Sequence, residues 1–324
     1  MPVTSDSGAP TVSLPPLTIS PPAASPAGRR PRRRRARDER RRSRGALVAA
    51  AAGWGLAAPV LKHATTGLPP GTLLTVELAA ATMTLWTVVI VRGHRPVRHL
   101  RRITIMALLD PVLTSGAWTL GLATASSMHA TLISSAESSL VAVGALAFFR
   151  ERLRRSTWAG LAVATCGLWI VQGTSAEVGQ GLGAVLIGVA TLAAATYSLL
   201  ASRVMPQEAD PVASTAWQFL IALLVCAPAG ILQAADGTLT ASGANLSHWA
   251  AAALAGAVGV GLPYLWYNRA LTVIPVGEAS VTLCLTPVAG LVAAAVLLGE
   301  SLTALKLAGA AVTVTGTLLV VIRR

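Results

Sequence analysis

Beyond residue 44, apolar runs of about 20 residues follow one another along the chain, with most of the charge held in the short gaps between them. A helix of that length crosses a hydrocarbon core of ~30 Å. In lipid every backbone N–H and C=O must be satisfied within the protein, which leaves helices or closed barrels. The in-and-out alternation of a barrel strand is absent, so the fold class is all-α, a polytopic membrane protein. Composition agrees: 53% of the 324 residues are hydrophobic and 12% are charged, whereas a soluble domain carries roughly 25% charged residues.

The apolar periods place ten transmembrane helices, at about 46–66, 71–91, 103–123, 125–149, 156–173, 181–203, 211–232, 247–269, 277–298 and 303–322. Residues 1–28 are rich in Pro, Ser, Thr and Ala and cannot bury a core, so disorder is expected there. Residues 29–44 are an arginine run broken by Asp38-Glu39. That run either contacts anionic lipid head groups or holds the N-terminus in the cytoplasm. A twin-arginine signal is opposed by Lys62 and His63 in the apolar segment that follows and by the nine spans after it.

The net charge of +13 invites a nucleic-acid reading, but its distribution argues against one. Eleven of the 24 arginines lie between Arg29 and Arg44. With the tail in the cytoplasm, Arg92–Arg102, Arg150–Arg155, Arg203, Arg269 and Arg323-Arg324 all fall on the same side as the tail. Only Lys62 and Lys306 fall outside, and the outer connections at 173–180 and 233–246 contain neither Lys nor Arg. This is the partition of the positive-inside rule, and it expects a cell (plasma or inner) membrane protein with both termini cytoplasmic. Cys166, Cys226 and Cys284 each lie within a predicted span, so no disulfide framework or metal spacing is visible.

Shifting the chain by 149 residues without gaps reveals an internal repeat. Leu122 meets Leu271, Ala130 meets Ala279, and Glu151-Arg152-Leu153 meets Glu300-Ser301-Leu302. Ala159-Gly160 meets Ala308-Gly309, Val163 meets Val312, and Gly167 meets Gly316. Five helices separate the copies, so the second is inserted upside down relative to the first. The domains are then a tail (1–44), a first five-helix repeat (45–175) and a second, inverted one (176–324). Inverted repeats build many secondary transporters, with the substrate near the midplane at the repeat interface.

The stretch Leu262–Glu300 carries a family resemblance, through Tyr264, Trp266, Ala270-Leu271, Ala279-Ser280, Pro287-Val288 and Leu298-Gly299-Glu300, with Gly309 and Gly316 further on. It resembles the second half of the EamA-type transporters of the drug/metabolite transporter superfamily. In the first half, Trp54-Gly55 followed by Lys62 looks like that family's opening pattern, and Gln218 like the Gln often found in its seventh helix. Glu77 stands where the family often has Arg in helix two, and Ser138 where it favours Pro in helix four. The resemblance covers residues 45–322. It implies export of small metabolites, often amino acids or related compounds, or of drugs.

An ionisable group at the centre of a lone span costs about 2.5–3.5 kcal/mol on insertion scales, so such groups normally face a cavity or a partner. Glu137 lies mid-way along helix four, in a seam of Ser127, Thr131, Ser134 and Ser138. It is a candidate to bind a substrate ammonium or a proton, or else a carboxyl capped by serines. Lys62 and Glu77 lie at depths that differ by only about 3 Å and are expected to pair, with His63 beside them. Asp110 precedes Pro111, which predicts a local break and either a capping or a proton-handling carboxylate. His129, eight residues before Glu137 in sequence, is either a further candidate or an interhelical residue. Tyr264, Tyr197, Trp54 and Gln218 offer hydroxyl, aromatic and amide surface to the same cavity, expected among helices one, three, four, six, eight and nine. Glu151 and Glu300 suit the positive end of a following helix dipole. Glycines at 256, 259 and 261 favour close helix approach.

The expected function is therefore a secondary active transporter working by alternating access, with proton coupling or exchange. The chain is not expected to be an enzyme, since it carries no paired Asp-rich motif, metal cluster or nucleophile elbow. The competing readings are a membrane-embedded enzyme and a non-transporting receptor or scaffold. The expected partners are a small-molecule substrate and membrane lipids, with no nucleic acid, no metal and no cofactor. The protein is expected to act as a monomer or homodimer.

Overall fold

The computed structural model describes residues 29–93, 97–122, 133–150, 154–172, 181–235, 243–299 and 302–322, and among these it is helical with no strand. It comprises two units, Met1–Asp38 and Glu39–Arg324. The elements in order are α1 (Arg29–Thr65), α2 (Pro70–Arg92), α3, α4 (Glu137–Phe149), α5 (Arg155–Gln172), α6 (Leu182–Val204), α7 (Pro211–Ala235), α8, α9 and α10 (Ala304–Ile322). Three of them are composite. Helix α3 runs Leu100–Ala107, a π-helical Leu108–Leu113 and Thr114–Leu122; α8 runs Leu246–Leu254, a π-helical Ala255–Gly261 and Leu262–Leu271; α9 runs Val276–Leu283 and Leu285–Leu298.

Proline chemistry accounts for most of the irregularities. Pro111, Pro263 and Pro287 each lack the N–H that would bond four residues back, and each ring crowds that carbonyl. Asp110, just before Pro111, leaves helical geometry altogether (φ −152°, ψ 119°), which is the break expected at Asp-Pro. Pro263 follows the π-helical part of α8, and α9 is interrupted at Cys284 just before Pro287. A turn at Ser135-Ala136 precedes α4 without any proline. Serine side chains that compete for backbone groups are the cause available there.

Among the described residues, seven helical stretches are long and apolar enough to cross a bilayer: Arg37–Thr65, Pro70–Arg92, Leu100–Gly121, Leu182–Gln207, Pro211–Ala235, Leu246–Leu271 and Val276–Leu297. Helices at Glu137–Phe149 and Ala304–Val320 are apolar but shorter. By this measure the described residues bear out seven of the ten expected spans. Residues 123–132, the expected start of the fourth span, lie outside the described residues, and α5 is diluted by Arg155-Ser156-Thr157 and Gln172 at its ends.

Packing pairs the halves. Helix α5 lies along α10, and α2 along α7. A Cβ on Gly160 would sit 2.6 Å from the carbonyl oxygen of Gly316, and one on Gly167 2.7 Å from that of Gly309, so α5 and α10 run antiparallel at backbone contact. Under the 149-residue shift this contact maps onto itself. Helix α8 approaches its neighbours through its glycines, as expected: Gly256 meets the backbone of Glu77, Gly259 meets Ala57 and Gly261 meets Ala81. Six helices, α1, α3, α4, α6, α8 and α9, converge on one core that includes Leu47, Ile103, Val141, Tyr197, Tyr267 and Ala279.

Candidate functional site

The α3 break and the second part of α8 face each other across the bundle, and there Tyr264 donates a 2.6 Å hydrogen bond to Asp110 Oδ1. Asp110 is only 3% exposed. Tyr264 is the hub of an aromatic group: Trp54 of α1 lies edge-on at 5.1 Å, Phe219 of α7 at 5.2 Å and Tyr197 of α6 at 5.9 Å. Trp54 also meets Tyr267 at 5.6 Å. Such edge-to-face pairs each contribute about 0.5–1.5 kcal/mol beyond area burial. They hold the rings in fixed orientations around the carboxylate.

Behind Tyr264 lies a buried amide relay. The Tyr197 hydroxyl is 2.9 Å from both Gln218 Oε1 and Asn268 Oδ1, and Asn268 Nδ2 donates to Thr215 Oγ1 at 3.1 Å. Gln218, Asn268 and Thr215 are fully buried, which requires that their polar atoms find partners. Glu137 opens α4 immediately after the Ser135-Ala136 turn, rather than sitting within a continuous helix as the sequence suggested. It is half-buried, makes no hydrogen bond among the described residues, and is close enough to Asp110 for the two charges to interact.

The structure therefore brings together Asp110, Glu137, Tyr264, Tyr197, Trp54 and Gln218. It separates the others. Glu77 is buried against the Gly256 backbone while Lys62 is exposed near the end of α1, and no ion pair joins them among the described residues. The correction has a geometric cause: similar depth does not ensure a shared face, and the α1 end turns toward α8. There His63 stacks on His248 at 4.8 Å, and its Nε2 lies 2.9 Å from Ser247 Oγ. His129, Ser127, Thr131, Glu151 and Glu300 lie outside the described residues.

Sequence reasoning missed two buried acids, Glu278 and Glu208. Glu278, 2% exposed at the start of α9, accepts from Arg40 Nη2 at 2.9 Å and from Arg44 Nε at 2.8 Å. The sequence offered only an acidic residue in a first helical turn and, far from it in the chain, an arginine run without an assigned partner. At the same end of the bundle, Glu208 accepts from the backbone N–H of Arg98 and of His99 at 2.9 and 3.2 Å.

Long apolar helices, buried carboxylates at mid-span and two halves in antiparallel contact define a multi-pass helical membrane protein. The chain belongs to the EamA-like transporter family, whose model matches residues 45–172 and 181–322. It is similar to an uncharacterized transporter of Archaeoglobus fulgidus, 25% identical over 272 residues that cover 84% of this chain and 95% of the relative. A solved crystal structure at 17% identity has the same fold, with a TM-score of 0.73 over 86% of this chain and 98% of its own.

Proposed function

We propose that the chain is a secondary active transporter that exports small metabolites or drugs across the cell membrane by alternating access, driven by protons or by exchange. In this reading ten spans form two inverted five-helix repeats, both termini are cytoplasmic, and the arginine tail faces anionic lipid head groups. The α5–α10 crossing is the observation that carries it. A contact between Gly160 and Gly316 that repeats as Gly309 and Gly167 is what two inverted modules about one axis require. The site at the meeting of six helices then offers Asp110 and Glu137 as proton or substrate groups, with Tyr264, Tyr197, Trp54 and Gln218 around them.

The test is reconstitution of the full chain in proteoliposomes, with efflux of candidate metabolites followed under an imposed proton gradient and under exchange conditions. Gradient-driven or exchange-driven flux that falls in Glu137→Gln supports the reading. Absence of any protein-dependent flux, or cysteine labelling that places positions 98 and 152 on opposite faces of the membrane, refutes it.

A further inference from the structure

We infer that the central site takes a primary organic ammonium rather than a zwitterion, an anion or a quaternary ammonium. This rests on the transport reading for its biological role, while the binding chemistry stands on the side chains alone.

Tyr197 carries a single O–H, yet it faces two amide oxygens at 2.9 Å, Gln218 Oε1 and Asn268 Oδ1. It can donate to only one of them. Asn268 is fixed by its own Nδ2, which donates to Thr215 Oγ1, and Thr215 in turn donates to the Pro211 carbonyl at 2.8 Å. The Tyr197 proton therefore goes to Asn268. Gln218, whose Nε2 is otherwise buried without a partner, then satisfies its amide by turning Nε2 toward the Tyr197 oxygen. That rotation leaves Gln218 Oε1 as a fully buried acceptor in need of a donor.

Two further acceptors lie in the same cluster. Among the described residues Tyr264 is the one donor to Asp110, so the second carboxylate oxygen of Asp110 is open. Glu137 has no hydrogen-bond donor among the described residues, and it is the accessible member of the set. The centre thus presents Asp110, Glu137 and Gln218 as acceptors. The described Lys and Arg sit instead near helix ends, in connecting segments or in the arginine run of α1, where Arg40 and Arg44 are engaged by Glu278. A bound carboxylate or phosphate would face two acids with no cation among the described residues to meet it. A zwitterionic amino acid would leave its carboxylate in that position. A quaternary ammonium has charge but no N–H, so all three acceptors would stay without a hydrogen-bond donor. A primary ammonium has three donors on one atom, and the rings of Trp54 and Tyr264 supply the apolar wall for its carbon chain.

The experiment titrates the purified full chain in detergent with n-butylammonium, tetramethylammonium, leucine and butyrate, using calorimetry and thermal stabilisation. Saturable binding of n-butylammonium at least tenfold tighter than the other three is expected. Asp110→Asn and Glu137→Gln should each weaken it at least tenfold. Gln218→Leu should weaken it by about threefold or more, and it keeps the test decisive should Asp110→Asn fail to fold. Leucine or butyrate binding as tightly as n-butylammonium, no binding of n-butylammonium, or unchanged affinity in Glu137→Gln and Gln218→Leu would each overturn the inference. The two readings fail separately. Bound n-butylammonium in a protein that gives no protein-dependent flux of any tested compound refutes transport and leaves the site standing; leucine flux without amine binding refutes the site and leaves transport standing.

Discussion

Shifted by 149 residues, the π-helical Leu108–Leu113 of α3 falls on residues 257–262, overlapping the π-helical Ala255–Gly261 of α8. The turn at Ser135-Ala136 falls on Cys284-Leu285, where α9 is interrupted. The left-handed Arg150 that ends α4 (φ 50°) falls on the left-handed Gly299 that ends α9 (φ 67°). The two halves thus bend and stop at corresponding places. Their chemistry does not correspond. Asp110 falls on Gly259 and Glu137 on Thr286, while Tyr264 falls on Ser115 and Asn268 on Thr119. The first half supplies the acids and Trp54, and the second supplies the tyrosines and the amide groups. A repeat can keep its backbone while diverging at the side chains that face the centre, and a polar ligand then meets one face of each kind.

If the scaffold is shared, equivalent scaffold substitutions must hurt equally. A leucine at Gly167 or at Gly316 would drive a side chain into the backbone of the facing helix, Gly309 in one case and Gly160 in the other. Each should lower stability by about 2–3 kcal/mol, read as the unfolding midpoint of the full chain in detergent. A difference above about 1 kcal/mol between the two variants would break the comparison at its foundation.

If the chemistry is divided, equivalent site substitutions must differ. Glu137→Gln should reduce flux in proteoliposomes at least tenfold, about 1.4 kcal/mol. Thr286→Ser should leave it within about twofold, a difference under 0.5 kcal/mol. Equal effects would mean that the acid is not part of the site.

The helix ends offer a smaller test. Arg150 occupies a left-handed conformation that costs a side-chain-bearing residue roughly 1–2 kcal/mol, whereas its counterpart is glycine. Arg150→Gly should therefore raise stability by about 0.5–1 kcal/mol, and Gly299→Ala should lower it by a similar amount. Calorimetric unfolding midpoints that move in the same direction for both would show that the two caps are not equivalent.

The scaffold was far more legible than the site. Apolar length gave the helices and the Asp110-Pro111 pair marked one break, whereas the deformations near Pro263 and Pro287 and the α5–α10 seam were seen only in the structure, at positions where the 149-residue repeat had aligned Gly160 with Gly309 and Gly167 with Gly316. The site depends on which way a mid-helix side chain turns, and periodicity resolves that poorly once a π-helical stretch or a break resets the helical phase. This is why Asp110 and Tyr264 were named separately but not as partners, and why Lys62 was matched to Glu77 by depth when their faces diverge. Glu278 was passed over because its partners, Arg40 and Arg44, lie 238 and 234 residues away in sequence. No local pattern reports a pairing at that distance.

One residue breaks the symmetry of the helix crossing itself, and it yields the smallest effect. Thr313 of α10 corresponds to Ala164 of α5, and its Oγ1 lies 3.3 Å from the Ala164 carbonyl and 3.0 Å from the carbonyl of Gly309. A hydroxyl with a local carbonyl to fall back on gains little from the interhelical contact, and interhelical hydrogen bonds in membranes average about 0.6 kcal/mol. Thr313→Ala makes the two sides alike and should cost about 0.5 kcal/mol of stability with flux unchanged. Ala164→Thr is not its mirror image, because the Ala164 backbone already lies against Gly316 and leaves no room for a hydroxyl; it should cost at least 1 kcal/mol. Measuring both variants by unfolding midpoint and by flux separates two roles for the crossing. A change in flux with Thr313→Ala at near-constant stability would place α5 and α10 in the moving part of the pathway, and the helices would then be more than the fixed frame that their glycine contact describes.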